Sequence, residues 1–533
     1  MAEPEPDAEL LEVHGDLAAA LADPQRFARR LRRESRRGAL ASIAAGVLVL
    51  ALLSLAQQNE ASLSSYFRGE TDLRGRRVFV PAAPPGDVGG LDRAHTELFP
   101  QWMIVRSRRS LPASERRRLA GQVFGELRYA VGEDANLVAL LDELRDRLRQ
   151  LHTRRDARRQ GPRIDYLVWA WNDYLDQRGV PWRLEASLHV PEPGRNGRER
   201  PPALITRSYE VLADLRDPAG RRIRLVRRGD RTNVDEGLLG HATGDRDEGA
   251  VVMLDEVLEH GVHHVWPMLH AGLDGRHAET VRSLGPRVRA EAAAQLAPGV
   301  LDRLRETAVD QQMLIEVAAS IHARASCGNR FRVWGLPWNG LAPPDRLALV
   351  DALDRSARDP SCPEVTLGEA ARMIGASERL GRTPALEDAV ETLTAWLSRA
   401  VAAHELRHVA DGEGRSCARC PPGLPPAAVD ELSAYLAAFG TEGVAYASLL
   451  QACTLEPAFE GDADAEGHIR QAPHAQALAV ALDALLPAGC RGPIPDDLVP
   501  RARALEARWF GASTGGVALP EGMPDRVALL AED

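Results

Sequence analysis

The chain has no lysine: all 66 of its Lys+Arg positions are arginine. That usage points to a GC-rich bacterial coding sequence rather than to a function. Aromatic residues are scarce, at 5%, and no segment repeats along the chain, which excludes a solenoid or propeller built from sequence repeats. Positive charge is in deficit, with 76 acidic against 66 basic side chains and a formal net charge of -10. The basic residues that do cluster, Arg26, Arg29, Arg30, Arg32, Arg33, Arg36 and Arg37, lie at the N-terminal end, and the chain beyond residue 58 is acidic on balance. These features argue against nucleic acid as a partner. They do not suggest disorder either: 44% hydrophobic and 27% charged residues in a chain of 533 make a globular composition, long enough for more than one core.

One hydrophobic run stands out. Gly38 to Ala56 carries no charge and, as a helix rising 1.5 Å per residue, approaches the thickness of a bilayer core. With the arginine cluster before it, the positive-inside rule predicts a single-pass transmembrane helix over 38–57 in contact with a lipid bilayer. The N-terminus would then be cytoplasmic, and everything beyond residue 58 would lie on the periplasmic side of a bacterial inner membrane. A cleaved signal peptide ending at Ser54-Leu55-Ala56 and a buried core helix compete with this reading. The polar leader before the run is long for a signal peptide, and the lack of a polar face argues against a core helix. The six cysteines, Cys327, Cys362, Cys417, Cys420, Cys453 and Cys490, all fall in the exported part, where disulfides are permitted.

Hydrophobic period organises the rest. Residues 1–37 read as a cytoplasmic tail and 38–57 as the anchor. Residues 58–180 read as a stalk and a helical region, with a Pro/Gly-rich stretch from Pro81 to Gly90 and helical period from Pro112 to Arg178. Between Pro181 and Val257 the period shifts toward two. WRLEASLHV, ALITRSYEVLADL, RRIRLV and GAVVMLDEV read as strands, with a turn at Asp217-Pro218-Ala219-Gly220. They define a mixed α+β module over 181–270, and helical period then fills 271–533. The expected fold class is α+β and predominantly α-helical: an N-terminal transmembrane helix, a small mixed α+β module and a C-terminal helical domain.

Within that last region stands His404-Glu405-Leu406-Arg407-His408. The preceding stretch, Leu386 to Ala403, has no glycine or proline and is rich in Ala and Leu, so a helix should run through the motif and stop near Gly412. Trp396, Ala400, His404 and His408 then form one row, which lets both imidazoles reach a single ion while Glu405 projects beside them. Zinc requires a third protein ligand and an open fourth position. Glu431, in the helical run DELSAYLAAF beyond a proline-rich loop, is the candidate. In these residues the chain resembles the gluzincin branch of HExxH zinc metallopeptidases, over about residues 396–440. The resemblance implies Zn2+ held by His404, His408 and Glu431, with Glu405 as general base and a protein or peptide as substrate. The metzincin pattern is absent after His408.

Other ligand sets compete: a closed Cys2His2 site with Cys417 and Cys420, or His468 or His474 in place of Glu431. For Cys417 and Cys420 a disulfide is the favoured alternative in an oxidising compartment. Tyr435, one turn after Glu431, and Tyr446 are candidate donors to a tetrahedral intermediate, with a core role as the competing reading. Asp411 is a candidate acceptor that would orient a ligand imidazole. His263 and His264 are adjacent and read as structural. The acidic run Glu460 to Glu466 lacks the order of a calcium loop. The expected activity is zinc-dependent peptide hydrolysis, and the alternative is a non-catalytic envelope scaffold with a structural or vestigial metal site.

Overall fold

The computed structural model describes residues 89–530, apart from 108–110, 133, 191–200, 230–238, 243–248, 271–282, 324–340, 342, 359–362, 413–416, 418, 462–472 and 512–516. Four helices come first. The first, α1, is Gly89–Arg93 continued through a π turn, Ala94–Leu98, into Phe99–Ser107; α2 is Ala113–Ala130, α3 Ala135–Arg149 and α4 Arg154–Gln177. In α3 the buried Leu137, Leu140, Leu141, Leu144 and Leu148 recur at helical spacing, so one stripe turns inward. Asp134 caps its start by accepting from Asn136 N and Leu137 N, and Thr153 with Asp156 forms a capping box on α4.

A five-stranded sheet follows: β1 Trp182–His189, β2 Ala203–Arg216, β3 Arg222–Arg228, β4 Gly240–Ala242 and β5 Ala250–Met253, in the order β1-β2-β3-β5-β4. All neighbours are antiparallel except β3 and β5. The turn expected at Asp217 is present, with Asp217 Oδ1 accepting from Ala219 N and Arg221 N and Gly220 at φ +78°. Ile223, Leu225, Ala250 and Val252 join the main core, whereas Tyr209, Val226, Val251 and Met253 form a separate cluster, as alternation along strands requires. The N-terminal half of β2 pairs with β1 and its C-terminal half with β3, across a bulge between Val211 and Ala213. The sheet therefore curls. Its two end strands meet, with His241 Nε2 of β4 2.6 Å from Glu185 Oε1 of β1.

The remaining helices are α5 Leu254–His260, α6 Gly285–Gln295, α7 Pro298–Ala323, α8 Pro343–Arg358, α9 Leu367–Arg382, α10 Leu386–Asp411, α11 Pro426–Phe439, α12 Ala445–Gly461, α13 Pro473–Leu485 and α14 Leu498–Phe510. Most of α10 is buried around its whole circumference, with β4, β5, α5, α7, α11 and α12 packed on it. A helix covered on all sides needs apolar residues on all sides, which the Ala/Leu/Val-rich sequence supplies.

Two parts of the expected fold class are corrected. The architecture is mostly helical with one small sheet, and among the described residues no helix is long and apolar enough to cross a membrane. Even the apolar α10 carries Glu387, Asp388, Glu391, Arg399, Glu405, Arg407 and Asp411, and such charges are incompatible with a bilayer core. The expected anchor, 38–57, lies outside the described residues, as do the tail 1–37 and the stalk up to 88. The sheet, moreover, is no separate module beside a helical domain, because one of its faces shares a core with α10. The stretch GAVVMLDEV is strand only to Met253. At Leu254 it turns helical, with the Asp255 carboxylate accepting from Arg228 N.

Candidate metal centre

Helix α10 runs through the HELRH motif and stops at Gly412, whose positive φ of +68° is a conformation that glycine alone adopts readily. Its 3.6-residue period stacks His404 and His408, bringing their Nε2 atoms to 3.2 Å. Helix α11 opens on Pro426, a residue suited to a first turn, and lies against α10. It delivers Glu431 Oε2 to 3.3 Å from His404 Nε2 and 3.5 Å from His408 Nε2. Among the described residues this is the one group of three potential ligand atoms that all lie within 4.8 Å of one another.

The chemistry of a divalent cation fits this set. Ligand atoms about 2.0–2.1 Å from a tetrahedral zinc stand about 3.3–3.4 Å apart, so the three measured separations are the edges such a site needs. Glu431 Oε2 is buried and makes no hydrogen bond, although three imidazole nitrogens crowd it, His474 Nδ1 at 3.0 Å being the third. Burial opposes charge on Glu431, yet His404, His408 and His474 outweigh it and hold the carboxyl far below its usual range. Burial likewise lowers His408, but Glu431 and Glu405 overcome that and raise it. The cluster thus draws positive charge toward one point.

Glu405 sits next to the triangle and outside it. Burial pushes its carboxyl up, while His404, His408 and His241 pull it down. Directly over it passes β4: a Cβ added to Gly240 would stand 2.8 Å from Glu405 Cγ and 2.8 Å from Val401 Cγ1. Only glycine lets the strand lie so close to the helix.

Tyr435 is at the centre as well. Its ring centroid lies 4.7 Å from that of His404, edge to face, and its hydroxyl 3.2 Å from His474 Nδ1. Burial, then the nearby Glu431 and Glu405, push the phenol well above its ordinary range, so it stays protonated. Tyr446 is elsewhere, its hydroxyl donating to the carbonyls of Pro495 and Asp496. His474, considered above as a ligand, reaches Glu431 from α13, while its nitrogen is outside the group within 4.8 Å. His468 and most of the acidic run lie outside the described residues.

Asp411 lies in a polar network between helices. Its Oδ2 accepts from Arg407 Nε at 3.1 Å and from Ser433 Oγ at 2.6 Å, and Arg407 Nη2 lies 2.5 Å from Glu506 Oε1 of α14. This buried network ties α10 to α11 and α14, and so fixes the crossing at which Glu431 meets the histidines. Of these four residues the sequence singles out Asp411, while Arg407, Ser433 and Glu506 carry no distinguishing pattern. Cys417 is bridged to Cys420 and Cys453 to Cys490, so the Cys2His2 alternative is ruled out. Cys327 and Cys362 lie outside the described residues. His263 and His264 stand on a π turn, Gly261–Val265, and take no part in the centre. No protein-family model matches the chain, and neither a curated protein nor a solved structure does.

Proposed function

We propose that this chain is a zinc-dependent metallopeptidase that hydrolyses peptide bonds with Glu405 as general base. The observation that carries the reading is the triangle of His404 Nε2, His408 Nε2 and Glu431 Oε2, with sides of 3.2, 3.3 and 3.5 Å and a buried carboxylate beside it. A zinc ion held there would supply a Lewis acid for a carbonyl and for water. Glu405 is placed to accept the proton of the attacking water and return it to the leaving amine, and a carboxyl raised by burial suits that work. Tyr435, still protonated, is placed to donate to a developing oxyanion.

Peptide as the substrate class is favoured by β4. Among the described residues β4 has a ladder partner on the β5 side only, and a strand edge without a ladder partner among them, beside the base, would offer an extended chain backbone hydrogen bonds. The two disulfides favour an oxidising compartment. A scaffold with a structural metal would want a fourth protein ligand, and His474, although its Nδ1 is 3.0 Å from Glu431 Oε2, is not in the set of ligand atoms mutually within 4.8 Å. The test is the Glu405→Gln variant of the full chain. Bound zinc near one per chain, with peptide hydrolysis reduced by about 10²–10⁴-fold, is expected. A parent chain that holds no zinc after dialysis, or a variant that cleaves as fast as the parent, would end the proposal.

A further inference from the structure

Strand β4 is short, and it is the element that overlies Glu405. Its backbone is paired with β5 through Gly240, His241 and Ala242. Besides its packing on α10, β4 is anchored by the side chain of His241, which meets Glu185 at 2.6 Å across the curled sheet, from the strand at the opposite end of the sheet order. Both partners are mostly buried, with side-chain exposures of 24% and 18%. The Glu185 carboxyl is held low against its burial by His241 first, and then by Arg183 on the same strand and Arg207, its cross-strand neighbour. Burial disfavours charge on His241, but Glu185 and Glu405 overcome it and raise its pKa, and a carboxylate partner makes the contact a charge-assisted hydrogen bond. The immediate neighbour of His241 is Gly240, the residue pressed against Glu405.

We propose that Glu185 and His241 form a clasp that keeps β4 seated over Glu405 as the edge on which a substrate chain aligns. The inference rests on the peptidase reading. Both are positioning residues: neither touches the reacting bond or the metal ligands, and each acts through the placement of β4. Without the clasp, β4 keeps its short ladder to β5 and its packing on α10 but loses its side-chain tie to β1, so its edge is less firmly placed.

The test uses the full zinc-loaded chain with the substitutions Glu185→Gln and His241→Gln, and alkylated, unfolded casein as the substrate probe. Each single variant should raise KM roughly tenfold, the order that loss of one charge-assisted hydrogen bond delivers. Zinc content and kcat should stay near the parent values, and the double variant should be no worse than either single one, since both break the same contact. Amide hydrogen exchange should quicken at residues 240–242 and stay unchanged at residues 404–408. Hydrolysis with unchanged KM in both variants, additive losses, or loss of zinc together with KM would overturn the clasp and leave the peptidase reading standing. Absence of any hydrolysis by the parent chain would overturn both.

Discussion

The helices below Glu405 and the curled sheet above it meet at the same side chain but hold their functional groups by different means. In the lower part, His404 and His408 are placed by helical period, and a buried charge network of Arg407, Asp411, Ser433 and Glu506 fixes where Glu431 arrives. In the upper part, β4 depends on one close approach at Gly240 and on one contact between residues far apart in the chain, Glu185 and His241. The two parts differ in kind: buried charge pairs fix the helix crossing, whereas a ladder to β5, packing on α10 and one cross-sheet contact seat β4.

That contrast can be broken at either end, and the largest effect is expected at the ligands. His404→Ala should leave the chain without zinc after dialysis and without hydrolysis, as read by metal analysis and a peptide cleavage assay. Next comes the network. Glu506→Ala removes one of the two carboxylates on the buried Arg407 and leaves Asp411; loss of such a charged contact costs about 1.5–3 kcal/mol, so thermal unfolding should shift down and zinc affinity should fall with it. The smallest effect is expected in the upper part. Gly240→Ala forces its methyl against Glu405 Cγ and Val401 Cγ1, an overpacking cost of about 1–3 kcal/mol. It should slow hydrolysis while zinc content holds. Equal loss of zinc in the Gly240 and Glu506 variants would erase the distinction between the two parts.

Much of the lower part was legible in the sequence. An uninterrupted Ala/Leu-rich stretch with a glycine after it marks a helix and its end, and spacing of four residues aligns two imidazoles on it. Glu431 was legible as a residue in a second helix, though its distance to the histidines was not. Asp411 was legible as a polar group near the helix end, but its partners, Arg407 and Ser433, come from its own helix and the next one across. In the sheet, period two and the Asp217 turn marked the first three strands correctly. GAVVMLDEV was misread because its apolar run continues smoothly from strand into helix, and the helix begins where Asp255 accepts the Arg228 amide. Nothing in the sequence marked His241 or Glu185: one is a histidine in a short glycine-flanked strand, the other a lone acid in a strand of mixed polarity.

The sequence by itself determined the pair of imidazoles, the carboxylate between them and the point where their helix stops, because those relations are set within a single turn by backbone geometry. Tertiary structure decided that Glu431 completes the triangle, that the cysteines pair as 417 with 420 and 453 with 490, and that a curled sheet brings Glu185 to His241 over the base. Such meetings are fixed by the sum of many weak packing contacts across a core, and no short stretch of sequence records that sum.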